Sequence, residues 1–360
     1  MSEARTVIVG MSGGVDSSVA AYLLKEEGYR VIGVTMQLYG EKAETPSKDH
    51  APSCASAVED ARQAAGTIGI PHYVMDFQAA FRDKVICYFT EEYLRGRTPN
   101  PCIACNRYVK WEALLARGRE LGADYIATGH YARVEELANG RYAIKNSVTA
   151  DKDQTYALYQ LTQDQLAKTL MPIGAYDKPT VREIAKRAGL LAADRADSED
   201  ICFIPDHDYA SFLDREARGR VPGPGNFVLE DGTVIGRHRG ISHYTIGQRK
   251  GLGISWDHTL FVKEIRPVQN EVVLTGGDGV FTDCLTFDRV NYMAKDRFLP
   301  GEEYRAKIRY SDPGCRCRID RIEGDRVRLV FSQKVRAVTP GQAVVLYEGD
   351  YVAGGGIILR

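Results

Sequence analysis

No apolar run in this chain approaches the ~20 residues needed to cross a bilayer, and its charges nearly cancel, with 47 Lys and Arg against 48 Asp and Glu. The first shortage predicts no membrane partner. The start, Met1-Ser2-Glu3-Ala4-Arg5, runs into a strand pattern without a leader, so a cytoplasmic protein is expected. The near-zero net charge argues against a globally basic nucleic-acid binder. Cysteine is also scarce: eight in 360 residues are too few for a disulfide scaffold, and a reducing cytosol keeps most of them as thiols, so their positions matter more than their number. One C-x-x-C occurs, with no second one and no clustered histidine pair to complete a four-ligand zinc set. There is no internal repeat and no low-complexity tract.

What is present begins with Gly10-Met11-Ser12-Gly13-Gly14-Val15-Asp16-Ser17, which follows a strand-like run, Thr6–Met11, and opens a helix-periodic run, Val19–Lys25. Adjacent glycines let successive backbone N–H groups turn toward an anion, and a helix N-terminus beyond them adds partial positive charge. The loop lacks the lysine of a Walker A motif and the spaced glycines of a dinucleotide fingerprint. It resembles the pyrophosphate-binding S-G-G-x-D-S loop of the ATP pyrophosphatases, in which Asp16 would hold Mg²⁺ against the leaving pyrophosphate.

Strand and helix patterns alternate through the first two hundred residues: strands at Tyr29–Leu38, His72–Phe77 and Asp124–Gly129, helices at Ala55–Ala65 and Ala79–Arg95. The fold class expected is therefore α/β, with a doubly wound parallel sheet of the adenine nucleotide α-hydrolase type over residues 1–206. Two segments, Gly40–Ser53 and Gly96–Asn106, interrupt the pattern as candidate lids or substrate loops. After Pro205 the texture changes, through a short helix at Tyr209–Arg215 and Pro222-Gly223-Pro224-Gly225, to a small central β-rich domain over 207–281. Short strands with turn signals at Glu323-Gly324-Asp325 and Glu348-Gly349-Asp350 then predict an antiparallel β-barrel over 282–360. Within it, Arg305 to Arg336 carries ten Lys and Arg against four Asp and Glu, a local excess on which a polyanion could dock.

The Pro-braced stretch Thr98-Pro99-Asn100-Pro101-Cys102-Ile103-Ala104-Cys105-Asn106 places the C-x-x-C in a loop, and a third thiol recurs in Ile201-Cys202-Phe203-Ile204. Alone, the pair reads as redox-active, as half a zinc site or as two small buried residues, with chemistry favoured. Taken with the phosphate loop, it supplies what an adenylated carbonyl needs, a strong sulfur nucleophile. Cys315 and Cys317 share one face of a strand and read as packed thiols.

With these motifs, Ala127-Thr128-Gly129-His130-Tyr131, Lys152-Asp153-Gln154, Gly247-Gln248-Arg249-Lys250-Gly251-Leu252-Gly253 and Gly354-Gly355-Gly356 follow in order along essentially the whole chain. The sequence resembles the tRNA-specific 2-thiouridylase (MnmA) family. The resemblance implies ATP-dependent adenylation of the C2 oxygen of the wobble uridine in tRNAs for lysine, glutamate and glutamine, and its replacement by sulfur. It implies a persulfide on Cys202, loaded by a sulfur-relay protein or cysteine desulfurase, and Cys105 as the nucleophile that releases the sulfur and leaves a transient Cys105–Cys202 disulfide. ATP would contact Gly10 to Ser17, Met36 and Gly129; the flipped base would meet Asn100, Pro101 and Cys102; tRNA would touch His130, Lys152, Asp153, Gln154, Arg309, Tyr310 and Gln342.

One position departs from the pattern. Where this chain has Cys102, the family commonly has an aspartate with an acid/base or base-positioning role, and a thiol cannot accept hydrogen bonds as a carboxylate does. Cys102, Cys105 and Cys202 could instead hold three irons of a [4Fe–4S] cluster whose fourth iron binds sulfide. The persulfide route is the preferred reading, since no fourth ligand is visible in the sequence. A small-molecule ligase or a non-enzymatic RNA-binding module are the remaining alternatives.

Overall fold

The computed structural model describes residues 4–39, 54–191, 201–204 and 208–359, so the interrupting segment Gly40–Ser53 lies outside the described residues. Strands β1 (Thr6–Gly10), β2 (Arg30–Gln37), β3 (His72–Asp76), β4 (Tyr125–Thr128) and, later in the chain, Thr169–Leu170 form a parallel sheet in which β1 lies between β2 and β4. The inner strand β1 is an unbroken apolar run because helices cover both faces. Val7 and Val9 point into a core with helices α1 (Val15–Glu26) and α2 (Cys54–Ile68), while Ile8 points the other way, onto Trp111 and Leu114.

The patterned strands and helices fall within a few residues of expectation, and three features do not follow the sequence reading. First, the Gly96–Asn106 segment is neither a lid nor a loop throughout. The Thr98 N–H donates to the Pro340 carbonyl (2.9 Å) and Gln342 Nε2 donates to the Thr98 carbonyl (3.0 Å), which pins the segment to the C-terminal barrel. A helical run over 101–120 then begins at Pro101, with Asn100 as its cap: Asn100 Oδ1 accepts from the Cys102 N–H at 3.0 Å. Cys102 and Cys105 therefore sit on a helix, one turn apart. Second, this run widens to i→i+5 bonding over Cys105–Leu114, and the run over 78–94 does the same over Arg82–Cys87. Third, a hairpin not foreseen from the sequence, β5 (Ala132–Glu136) and β6 (Tyr142–Asn146), leaves the parallel sheet altogether and joins the barrel's sheet.

After the helix Tyr209–Ala217, a central four-stranded sheet is built from Gly225–Val228, Val234–His238, Phe261–Arg266 and Glu271–Thr275. Strands Phe281–Tyr292, Glu303–Lys307, Cys315–Glu323, Arg326–Arg336, Ala343–Glu348 and Tyr351–Ile358 then close into a six-stranded antiparallel barrel, with the first strand paired to the last. Closure leaves no free edge inside the barrel, and its interior includes the buried thiols Cys315 and Cys317. The barrel is not a tethered appendage. Met293, Val345, Tyr347 and Val352 belong to the same apolar core as Trp111 and Tyr159, Tyr156 Oη donates to the Ala343 carbonyl (2.9 Å), and the Arg141 guanidinium donates to the carbonyls of Met293 and Tyr292. Shared apolar burial of this kind holds two domains in one orientation. No helix of the described residues is long and apolar enough to cross a membrane.

Candidate active site

The site assembles at the carboxyl ends of β1, β2 and β4, where strand order reverses and a crevice opens in sheets of this type. From β1 comes the phosphate loop. Gly13 adopts φ +78°, a left-handed turn that a side chain would strain. Ser17 Oγ accepts from the Ser12 N–H (3.2 Å) and Ser18 Oγ donates to the Gly14 carbonyl (2.9 Å), so the hydroxyls brace the loop from within. Val15 is buried as the first residue of α1. Met11 is buried behind the loop, and Met36, near the end of β2, packs close to Gly10.

The segment just after β4 supplies three successive residues with three different tasks. A methyl group on Gly129 would fall 2.5 Å from the Ser17 amide nitrogen and 2.6 Å from the Asp16 carbonyl carbon, so only glycine lets β4 approach the start of α1. Gly129→Ala should therefore cost about 1–3 kcal/mol of stability by overpacking, with ATP affinity falling in parallel; thermal melts and ATP titration check this. Tyr131 Oη donates to Asp16 Oδ1 at 2.8 Å, and Gln154 holds Tyr131 in place by accepting from its N–H (2.9 Å) and donating its own N–H to the Tyr131 carbonyl (3.0 Å). His130 is buried between Thr128, whose Oγ1 lies 2.6 Å from Nδ1, and Lys110, whose Nζ lies 3.5 Å from Nε2. Burial, aided by the Lys110 charge, holds the His130 pKa well below its ordinary value, so the ring is neutral.

Asp16 has a partner that nothing in the sequence announced. Lys178, at the first turn of the helix Lys178–Arg187, places Nζ 2.9 Å from both carboxylate oxygens and is itself buried. The loop that lacks a Walker lysine thus receives one from 162 residues along the chain. The only available signal was an Asp177-Lys178-Pro179 cap-and-proline helix start, which marks a helix but no partner.

The thiols lie on the other side of His130. Cys102 is exposed and Cys105 half-buried on the helical run, and Cys202 is exposed on the segment 201–204. That segment is held by an aromatic cluster in which Phe203 packs edge-on to Phe81 and Phe89, and Ile204 is buried with Phe212 and Leu213. Tyr39 Oη donates to Cys202 Sγ at 2.8 Å. Although parts of Cys102 and Cys202 reach the surface, the surrounding protein desolvates all three sulfurs and raises their pKa values, that of Cys105 up to about 12, while the Lys110 charge pulls each of them down. The three are near enough to feel one another's charge, yet among the described residues no group of three His, Cys, Asp or Glu side chains is disposed to hold a metal ion. Among the described residues these thiols therefore form no three-ligand site for an iron–sulfur cluster.

Residues 5–206 match the family model described as the tRNA methyl transferase HUP domain, 210–275 the tRNA methyl transferase PRC-barrel domain, and 282–358 the aminomethyltransferase beta-barrel domain. The chain is 56% identical to the tRNA-specific 2-thiouridylase MnmA of Lachnoclostridium phytofermentans, covering 99% of this chain and 100% of that one. It is 51% identical to the Clostridium acetobutylicum enzyme of the same name (98% and 99% covered) and 49% identical to that of Clostridioides difficile (98% and 98%). The chain belongs to the tRNA-specific 2-thiouridylase MnmA family. Its α/β domain, small central β domain and closed barrel form the architecture expected from the sequence.

Within this MnmA family framework, several residues expected at the tRNA have internal tasks. His130 is enclosed, with both ring nitrogens engaged. Asp153 accepts from the N–H groups of Ser147 (2.9 Å) and Thr155 (3.1 Å), Gln154 clamps Tyr131, and Gln342 holds Thr98. Asn100 spends its side-chain oxygen on the helix cap, and Pro101 is buried. Arg309 donates to the Arg336 carbonyl. Tyr310 remains exposed on the barrel, packed edge-on to Tyr156 and close enough to Lys152 and Cys102 to feel their charges.

Proposed function

We propose that this enzyme replaces O2 of the wobble uridine by sulfur in tRNAs for lysine, glutamate and glutamine, using ATP and a persulfide carried on Cys202. The observation that carries the reading is the Gly129-His130-Tyr131 segment, which touches the phosphate loop at both ends and the cation facing the thiols in its middle. A site that adenylates an oxygen and then displaces it with sulfur needs both half-sites in one crevice.

The phosphate loop binds ATP, and the uridine O2 attacks the α-phosphate, releasing pyrophosphate. The close approach of Gly129 to the start of α1 fits a cradle for phosphates, and Asp16, as a single carboxylate beside that cradle, fits the usual Mg²⁺ mode of one or two carboxylates plus phosphate oxygens. Mg²⁺ held there would offset the charge of the departing pyrophosphate. The persulfide, loaded by a sulfur-relay protein or cysteine desulfurase, attacks C2 and AMP leaves. The Cys105 thiolate then attacks Cys202 Sγ, the sulfur stays on the uridine as 2-thiouridine, and a Cys105–Cys202 disulfide forms. An external dithiol restores the pair with two electrons and two protons.

The target base enters between Cys102 and Tyr310, since a base extruded from an anticodon loop seeks an aromatic platform. Arg305 and Arg316 pair directly across neighbouring barrel strands, an arrangement of like charges that favours a polyanion at that face. A small-molecule ligase would leave both the thiols and this face unused. The deciding experiment supplies iron-free enzyme with tRNA, ATP, Mg²⁺ and a persulfide donor, and reads 2-thiouridine by nucleoside mass spectrometry. Multiple turnover is the expected result, whereas strict dependence on reconstituted iron and sulfide would overturn the persulfide route.

A further inference from the structure

The widened helix over Cys105–Leu114 has a consequence for the residue that faces Cys105. In an α-helix the side chains one turn on from Cys105 would be at i+3 and i+4, Tyr108 and the buried apolar Val109; the wider turn of i→i+5 bonding brings Lys110 to the Cys105 side of the helix as well, near enough for its charge to act on the thiol. Helices of this kind cost hydrogen-bond geometry and recur at functional sites. Lys110 Nζ lies 3.5 Å from His130 Nε2, and among the described residues no carboxylate pairs with it. An ammonium only donates, so Nε2 accepts and Nδ1–H points to Thr128 Oγ1, 2.6 Å away. A neutral imidazole thus holds the ammonium without cancelling its charge.

We propose that Lys110, anchored by His130, is a positioning residue for sulfur transfer, whose charge stabilises the Cys105 thiolate that attacks Cys202. The groups facing this thiol are Cys102 on its own helix, Cys202 with Tyr39 across the site, and Lys110 itself; Lys110 is the one cation whose charge acts on all three thiols among the described residues. In the step it assists, the Cys105 electron pair forms the new S–S bond, the Cys202 bond to the transferred sulfur breaks, and that sulfur leaves with the pair as the thiocarbonyl of 2-thiouridine. The inference rests on the thiolation reading, but its test does not depend on it.

The test compares the parent with Lys110→Met, Lys110→Gln and Lys110→Arg in the full-length chain. The rate of Cys105 alkylation by iodoacetamide is followed by peptide mass spectrometry across the neutral-to-alkaline range, alongside tRNA-dependent pyrophosphate release in a single turnover. Removing an opposite charge raises a thiol pKa by roughly 1–2. The thiolate then falls about 10- to 100-fold, and its greater basicity returns about half of that on a logarithmic scale. Alkylation of Cys105 should thus slow about three- to tenfold in Lys110→Met and Lys110→Gln, with the pH curve displaced to the alkaline side. Lys110→Arg should restore most of the rate, and pyrophosphate release should hold within about twofold, because the adenylation half-site is untouched. Unchanged alkylation in both neutral variants overturns the inference. So does equal impairment by arginine, or a matching fall in pyrophosphate release, either of which marks a merely structural residue. If alkylation follows the expected order while the parent forms no 2-thiouridine, the thiolation reading fails and the role of Lys110 stands.

Discussion

Cys202→Ser should abolish 2-thiouridine formation, by at least about 10³-fold on the scale that loss of a covalent nucleophile costs, while tRNA-dependent pyrophosphate release persists for one turnover. In the proposed reaction the two half-reactions use different groups: Asp16 and the glycine loop would act on ATP, and Cys202 sits on a segment fixed independently by Phe203 and Ile204. Cys105→Ser should lose turnover as completely but for another reason. Cys202 would still take up a persulfide, seen as one added sulfur atom by intact-protein mass spectrometry, and the transferred sulfur would not be released as free product. Burial holds Cys105 up at about 12, so at pH 8 only about one part in 10⁴ is thiolate. Sulfur release should therefore rise about tenfold per pH unit while thiolate formation limits it, because a group below its pKa ionises further as pH rises. A serine variant at either position that keeps multiple turnover would refute the division of labour.

Asp16→Ala should lower pyrophosphate release by about 10²- to 10⁴-fold, the range for removing a group that stabilises transition-state charge. The structure predicts a cost to the fold as well. Lys178 is buried against both carboxylate oxygens, so deleting Asp16 removes its carboxylate partner at a cost of up to about 3 kcal/mol, at the low end for buried pairs because Asp16 keeps some access to water. Lys178→Met should be similarly inactive, since the loop has no lysine of its own. The double variant should regain stability without regaining activity, a coupling that denaturant unfolding and a pyrophosphate assay would measure together. Additive stability losses would show that the pair is not coupled.

Local chemistry determined much of this from the sequence. A buried inner strand must be apolar, a phosphate loop must be glycine-rich, and helix caps and hairpin turns need particular residues, so β1, Ser12 to Ser17 and the turns at Gly324 and Gly349 could be read without coordinates. The three thiols were legible as candidates because cysteine is rare in this chain. Their environment was not. Whether Cys102 and Cys105 lie on a loop or a helix turned on Asn100 spending its oxygen on a cap rather than on a ligand.

Tertiary structure alone decided the partners. Lys178 reaches Asp16 across 162 residues, Tyr39 reaches Cys202 across 163, and the β5–β6 hairpin abandons the parallel sheet for the barrel. None of these contacts carries a local pattern. His130 shows the limit most plainly: the family resemblance placed it at the tRNA, and only the structure shows its enclosure between Trp111, Thr128 and Lys110, where the ring is a neutral brace. Periodicity and propensity act over one or two turns of chain, whereas the pairing of charges, thiols and rings depends on which distant surfaces are buried together, and that is settled only when the apolar core shared by the catalytic domain and the barrel has formed.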